Sequence, residues 1–190
     1  MTLTTTPFGP TGRDVTRIGF GAWAIGGSWG DVSEGDAKAT LSAALDAGMN
    51  FIDTADVYTG GRSEEIVGEA IARHRQDWVV ASKVAIGPTE GLPNRSGLSR
   101  KHIFNGIEAS LTRLGTDYLD IYYLHREDHK VPLEETVQAI GDLLRGAISE
   151  YGPMLRMLAW SVIPLGFALL VMSVIVGANA QVLGGFTVGD

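Results

Sequence analysis

The amino-acid sequence predicts an α/β fold made of repeated βα units, followed by an apolar tail of different character. Four short apolar runs each precede a stretch of helical periodicity, which gives a β-α-β-α order. The runs start about every 30 residues, the length of one βα unit, and such units form a parallel sheet covered by helices. Charged residues are spread through residues 1–150, whereas residues 157–189 contain none.

Each element has a local justification. The predicted strands cover residues 17–20, 50–53, 78–83 and 118–124, and the predicted helices cover about 34–47, 63–73, 99–114 and 133–145. Ser33 and Ser99 are of the type that caps a helix start, and Gly48 and Gly115 are suited to the left-handed residue that ends one. Before the first strand, residues 4–15 contain a Gly-Pro-Thr-Gly turn and predict a small hairpin.

Length and composition limit the function classes. With 190 residues, the chain has room for one domain and an appendage. A net charge of -7 argues against a nucleic-acid partner, which would require clustered Lys and Arg. The absence of cysteine excludes disulfides and thiolate metal sites. Because the amino terminus lacks the pattern of a signal peptide, we expect the barrel part to be cytoplasmic.

The apolar tail predicts a transmembrane helix over residues 158–178, an uncharged stretch of about the length that crosses a bilayer. The predicted organisation is a barrel part over 1–146, a linker over 147–157, this helix, and a tail over 179–190. Arg145 and Arg156 precede the span, and the only charged residue after it is Asp190. Positive residues favour the cytoplasmic side of a membrane helix, so we expect a cytoplasmic amino-terminal part that this helix attaches to the membrane. Two alternatives are a buried core segment and an out-of-frame peptide that happens to be apolar.

Four chemically active side chains fall at the carboxyl ends of predicted strands or just beyond them. Asp53 closes the second strand, Tyr58 follows five residues later, Lys83 ends the third strand and His125 ends the fourth. In αβ barrels the carboxyl ends of the strands meet at the rim that carries the reactive groups. We therefore expect these residues to converge. The neighbouring HREDH cluster with His129 does not predict a metal site, because adjacent residues point in different directions.

These motifs resemble the aldo-keto reductase family. The segments FGPTGRDVTRIGFGAWAIGG, FIDTADVY with the following SEEIVGEAI, VVASKV and LTRLGTDYLDIYYLH match its pattern in order, over about residues 8–145. The resemblance implies the first half of a (β/α)8 TIM barrel, with about four βα units, and an NADP-dependent oxidoreductase that reduces a small aldehyde or ketone with a hydride from NADPH.

The resemblance also implies residue roles, and these agree with elementary chemistry. A phenol with an ordinary pKa of about 10 is a poor proton donor at neutral pH unless its anion is stabilised. Tyr58 would be the general acid, Lys83 would stabilise its anion, and Asp53 would hold Lys83 charged and in place. His125 would hydrogen-bond the substrate oxygen and orient the carbonyl.

The candidate cofactor residues are Gly21, Ala22 and Trp23, which follow the first strand, together with Asp53. In the family this loop lies near the nicotinamide and the substrate. The sequence does not identify the substrate or distinguish NADP from NAD.

The carboxyl-terminal part departs from the family pattern, since residues 146–151 read GAISEY where a fifth strand would begin. The expectation is a truncated or fused chain of doubtful activity that lacks most of the cofactor site. A half barrel would leave its first and fourth strands as open edges, which favour self-association. The alternative function is a non-catalytic, membrane-attached regulatory or binding module resembling the aldo-keto reductase-like subunits of potassium channels.

Overall fold

The fold is a parallel sheet preceded by a small hairpin. The computed structural model of the protein describes residues 3–27, 32–87, 94–151, 158–161 and 174–175. The hairpin pairs β1 (Thr5–Pro7) with β2 (Asp14–Thr16) in antiparallel register, as predicted. The main sheet contains β3 (Phe20–Gly21), β4 (Phe51–Asp53), β5 (Val79–Val84), β6 (Ile121–Leu124), β7 (Leu158–Ser161) and β8 (Val174–Ile175). These strands neighbour one another in chain order, parallel from β3 to β7, with β8 antiparallel to β7.

Helices join the parallel strands and begin and end close to their predicted positions. They are α1 (Glu34–Asp46), α2 (Arg62–Ile71), α3 (Arg100–Leu114) and α4 (Leu133–Tyr151). The Ser33 hydroxyl accepts a hydrogen bond from the Asp36 amide at 3.1 Å, and the Ser99 hydroxyl accepts one from the His102 amide at 3.3 Å. Gly115 ends α3 with a left-handed φ of 61°. Helix α4 continues six residues past its predicted end, since residues 146–151 contain no proline.

Side-chain alternation along the strands divides the buried residues into two clusters. Ile52, Val80 and Tyr122 pack on the helices in the larger cluster, together with Ile66 and Ile103. The smaller cluster covers the inner face of the sheet and contains Val79, Ala81 and Ile121, closed by Val15 from the hairpin. Because the strands are parallel, their carboxyl ends lie along one rim, above the inner cluster.

The prediction of a transmembrane helix over residues 158–178 is wrong where the structure describes this stretch. Its first four residues form β7, which pairs with β6, and two later residues form β8; the others lie outside the described residues. Short apolar runs are compatible with either helix or strand, and here the extended backbone finds hydrogen-bonding partners on β6. No helix in the described part of the chain is long and apolar enough to span a bilayer.

The strand count also needs correction. The sheet has a fifth parallel strand in β7, where the sequence predicted four. The fourth predicted strand, β6, is therefore not an open edge, because β7 pairs with it from Tyr122 to Leu124. One of the two edges on which the expectation of self-association rested is covered.

Candidate active site

Three neighbouring strands place the predicted site residues at one rim of the sheet. Asp53 is the last residue of β4, Lys83 is the penultimate residue of β5, and His125 directly follows β6. Asp53 lies beside Ala81 in the parallel register, and Lys83 lies beside Tyr123. The His125 amide continues the ladder by donating to the Val84 carbonyl at 2.7 Å. The rim is therefore held by backbone pairing.

The Lys83 ammonium is the centre of the site. Its Nζ donates to Asp53 Oδ2 at 2.8 Å, to the Thr54 carbonyl at 2.9 Å and to Tyr58 Oη at 2.9 Å. An ammonium has three donors, so these contacts use all of them. The Lys83 side chain is 12 % exposed and that of Asp53 is 35 % exposed, so the ion pair is partly shielded from water. Lys83 is thus fixed in orientation toward the Tyr58 hydroxyl.

A tight turn brings Tyr58 over the rim. Tyr58–Gly61 forms a 3-10 turn, and Thr59, Gly60 and Gly61 have left-handed φ values of 50°, 64° and 97°. Glycine adopts such angles without the steric cost that a side chain brings. A Cβ at Gly61 would also lie 2.8 Å from Arg113 Cδ, so this position requires glycine for space as well. The turn carries the chain from the end of β4 to the start of α2.

Aromatic rings surround the Tyr58 ring on two sides. The Trp23 ring lies 6.1 Å away at 29°, and the His125 imidazole lies 5.9 Å away at 77°. The Lys83 Nζ sits 4.6 Å from the Tyr58 ring centroid. All four predicted catalytic residues are therefore in one cluster.

His125 is held in a neutral state by its surroundings. Burial, with the positive charges of Lys83 and Arg126, lowers the pKa of His125 to about 4. Its Nδ1 atom is buried and has no hydrogen-bonding partner among the described residues. A neutral imidazole at pH 7 has one donor and one acceptor nitrogen, so His125 can contact an uncharged carbonyl oxygen without carrying a second positive charge into the site.

A cleft of about 510 Å³ opens beside these groups. Its lining is mostly apolar with a few polar residues: Gly19, Phe20, Gly21, Phe51, Asp53, Lys83, Tyr123, Leu124 and His125. This volume and this balance are typical of pockets for small organic molecules. Tyr123 was not singled out from the sequence. Burial and the negative charge of Asp53 raise the pKa of Tyr123 to about 12, so its hydroxyl stays protonated.

The candidate cofactor residues divide into two groups. Gly21 and Asp53 line the cleft, and the side of Gly21 where a Cβ would lie is open. Trp23 is 55 % exposed and packs against Tyr58. Ala22 is fully buried and does not line the cleft; its amide donates to the Asp53 carbonyl at 2.9 Å. Ala22 therefore contributes to the site through its backbone amide and not through its side chain.

A second polar cluster lies on the helix side of the same strands and was not predicted. Glu64 is fully buried, accepts from Arg113 Nε at 2.6 Å and accepts from the Ser82 hydroxyl at 2.5 Å. Asp56 is 1 % exposed, and neither of its carboxyl oxygens has a hydrogen-bonding partner in the described part of the chain. Burial and the nearby Glu64 raise the pKa of Asp56 to about 7. Arg113 acts against this shift, as do the amides of Val57 and Gly87, although neither amide reaches hydrogen-bonding geometry.

The sequence contains a signal for some of the site residues that were not predicted. Tyr123 follows from register, since the residue paired with Lys83 in a parallel ladder points to the same face. Ser63 and Glu64 stand among the apolar residues of α2, and polar residues on a buried helix face are typical of a hydrogen-bonded network. Nothing in the sequence alone reveals that the Asp56 carboxyl is unpartnered.

The family model and the relatives that match this chain point to the same family. The model of the aldo/keto reductase family matches residues 17–153. A probable voltage-gated potassium channel subunit beta of Oryza sativa is 45% identical over 146 residues, covering 75% of this chain and 43% of that protein. Aldo-keto reductase YhdN of Bacillus subtilis is 43% identical over 141 residues, covering 73% of this chain and 42% of that protein.

Comparison with solved structures points to the same family. The holo form of aldo-keto reductase AKR11C1 from Bacillus halodurans superposes with a TM-score of 0.70 at 29% sequence identity, over 85% of this chain and 50% of that one. This chain spans about two fifths of the length of the curated relatives it matches. The matched segment contains the strands that carry Asp53, Lys83 and His125, and the chain belongs to the aldo-keto reductase family.

Proposed function

We propose that the rim formed by Asp53, Tyr58, Lys83 and His125 is the catalytic site of an NADP-dependent reductase of small aldehydes and ketones. The observation that carries this proposal is the 2.9 Å contact between the Lys83 ammonium and the Tyr58 hydroxyl, beside an open cleft. Their geometry suits proton donation to a bound oxygen.

The four side chains divide the work of reduction. Tyr58 donates its proton to the carbonyl oxygen as negative charge develops there. The resulting phenolate is stabilised by the Lys83 ammonium, which Asp53 keeps paired and oriented. The neutral His125 imidazole hydrogen-bonds the same oxygen and fixes the direction of the carbonyl. After product leaves, Tyr58 regains its proton from solvent.

The cleft fits the nicotinamide end of the cofactor. Bound NADPH supplies the hydride that reduces the carbonyl carbon. Gly21 would leave room beside the cofactor and Asp53 would flank it, while the exposed Trp23 ring would approach from its position beside Tyr58. Lys83 is the one Lys or Arg side chain that lines the described cleft, and it is engaged by Asp53. The phosphates of the cofactor therefore require residues outside this cleft.

A binding titration combined with a turnover assay tests the proposal. NADPH fluorescence is followed during titration of the full chain, and consumption of NADPH is followed with a generic aldehyde. Tyr58→Phe should abolish turnover and leave NADPH binding within about twofold. Tyr118→Phe is the matched control: this ring packs under Arg75, its centroid 3.9 Å from the guanidinium carbon, and its hydroxyl should not affect turnover. Turnover that survives in Tyr58→Phe would contradict the assignment.

A second candidate is a non-catalytic binding module. It is favoured by three relatives, two named as a probable and one as a putative voltage-gated potassium channel subunit beta, which are 45%, 47% and 41% identical to this chain over the matched residues. A module of this class would bind NADPH but fail to reduce the generic aldehyde. The same assay therefore separates the two candidates, and a parallel titration with NADH measures the preference between the two cofactors.

A further inference from the structure

A buried serine at the start of α2 contacts the loop that carries Trp23. Ser63 is fully buried, and its hydroxyl donates to the Ala22 carbonyl at 2.7 Å. The same carbonyl accepts the Ile25 amide at 3.2 Å, which closes the turn that contains Trp23. Ser63 thus joins the first turn of α2 to the segment immediately before the exposed indole ring.

The direction of the next hydrogen bond follows from the number of available protons. The Ser63 hydroxyl and the Thr54 hydroxyl lie 3.0 Å apart. A carbonyl cannot donate, so the single Ser63 proton points to Ala22, and Thr54 must be the donor to Ser63. Both hydroxyls are fully buried, so no water replaces either bond. Each hydroxyl is therefore committed to one orientation.

These bonds close a ring around the end of β4. The Thr54 carbonyl accepts from Lys83, Lys83 binds the Asp53 carboxylate, and the Asp53 carbonyl accepts the Ala22 amide. Ala22 therefore uses both its amide and its carbonyl in the ring, and Ser63 is the link between them and Thr54. The Lys83 that contacts Tyr58 and the backbone that carries Trp23 belong to one hydrogen-bonded unit.

A second tether holds the far side of the same turn. The Thr59 hydroxyl, one residue after Tyr58, donates to the Ile25 carbonyl at 3.1 Å. Gly26 allows this approach, because a Cβ there would lie 3.0 Å from Thr59 Cβ. The Trp23 turn is thus fixed at Ala22 by α2 and at Ile25 by the Tyr58 turn, and the Trp23 ring is kept 6.1 Å from the Tyr58 ring.

We infer that Ser63 is a positioning residue that holds the Trp23 turn against Tyr58, and that it thereby sets the aromatic wall against which a carbonyl substrate binds. This inference rests on the proposed reductase function for its kinetic consequence only. The structural consequence, a tethered Trp23 turn, holds whether or not the chain is a reductase.

The test compares Ser63→Ala with Thr136→Val in the full chain. Thr136 is also a buried helix hydroxyl that donates to a loop carbonyl, that of Leu98 at 3.0 Å, and it contacts none of the site residues. Hydrogen exchange measured by NMR should be about tenfold faster at the Ala22 amide in Ser63→Ala, with the amides of β5 unchanged. Thr136→Val should leave the Ala22 amide at the wild-type rate. Thr54→Val, which removes the donor to Ser63 at constant shape, should accelerate Ala22 to a smaller extent, and Thr54→Ser should restore it.

Kinetics supply the second arm. In Ser63→Ala the KM for an aldehyde should rise about tenfold while kcat changes less than threefold, because the wall loosens and the Lys83–Tyr58 contact remains. Unchanged exchange at Ala22, or acceleration spread equally over the whole sheet, would overturn the inference. If the wild-type chain shows no turnover, the proposed function fails, and the exchange measurement still decides the role of Ser63.

Discussion

The buried Asp56 carboxyl should make the stability of the protein fall as the pH rises from about 4 to about 7. Its pKa in the folded state is raised from 3.8 to about 7, first by burial and then by Glu64. A folded-state pKa above the unfolded one means that the folded chain binds the proton more tightly, so deprotonation favours unfolding. Well below pH 3.8 the group is neutral in both states and has no such effect.

The size of the effect follows from the pKa difference. A rise from 3.8 to about 7, at about 1.4 kcal/mol for each pKa unit, gives about 4 kcal/mol as the full cost of holding the charged carboxylate above pH 7. Asp56→Asn removes the charge and keeps the shape. The variant has a buried amide of its own to accommodate, so the informative quantity is the change of unfolding free energy with pH, not its absolute value.

Urea unfolding followed by circular dichroism between pH 4 and pH 8 measures this quantity. Relative to Asp56→Asn, the wild type should lose on the order of 4 kcal/mol across this range. Asp128→Asn is a control that should run nearly parallel to the wild type in this range. Burial opposes ionisation of Asp128, but the Leu98 and Lys130 amides and nearby positive charges prevail and hold its pKa below 3.8, so its stabilisation is lost only below about pH 4. Parallel curves for wild type and Asp56→Asn would refute the reasoning.

Three further predictions follow from the same contacts. Because the pKa of His125 is lowered to about 4, an NMR titration should find its ring neutral from pH 8 down to about pH 5, and a midpoint near 6.5 would contradict the burial argument. Gly68→Ala should destabilise the protein by about 1–3 kcal/mol, because its Cβ would lie 2.4 Å from the Leu114 carbonyl oxygen. The control is Gly35→Ala in α1, where the nearest contact of a Cβ would be at 3.7 Å; it should be neutral or stabilising in thermal unfolding. Arg113→Ala should cost about 3–5 kcal/mol in urea unfolding, because it leaves the fully buried Glu64 carboxylate without its ion-pair partner. Arg100→Ala, whose partner Asp142 is exposed to solvent, should have a much smaller effect, and equal losses would show that burial does not set the difference.

The sequence predicted the parts of the fold that local physics determines. The four βα units appear where apolar runs alternate with helical periodicity. The hydroxyls of Ser33 and Ser99 cap helix starts, and Gly115, which has no side chain, adopts the left-handed conformation that ends α3. The convergence of Asp53, Tyr58, Lys83 and His125 was predictable because parallel strands bring their carboxyl ends together. Their catalytic roles stay a prediction until turnover is measured.

The parts that the sequence did not predict depend on tertiary contacts. The apolar residues 158–161 fit a membrane helix and a buried strand equally well in composition, and only the pairing with β6 distinguishes them. The predicted end of α4 was residue 145, but the helix continues to Tyr151. Asp56 and Ser63 were missed because their significance depends on what surrounds them, which no local pattern records.

The two polar networks share one segment of chain and affect stability in opposite directions. Asp53 lines the cleft and forms an ion pair with Lys83, whereas Asp56, three residues later, is buried and its carboxyl has no hydrogen-bonding partner among the described residues. The Asp56 amide donates to the Lys83 carbonyl at 3.3 Å, so the residue that carries the unfavourable carboxyl also ties its backbone to the strand that presents Lys83. Thr54, between the two acids, joins the Lys83 ammonium to Ser63 on α2. The rim geometry is therefore maintained by the β4 end and the first turn of α2 together, and a substitution of Thr54 or Ser63 should loosen the Trp23 turn while the Lys83–Tyr58 contact remains.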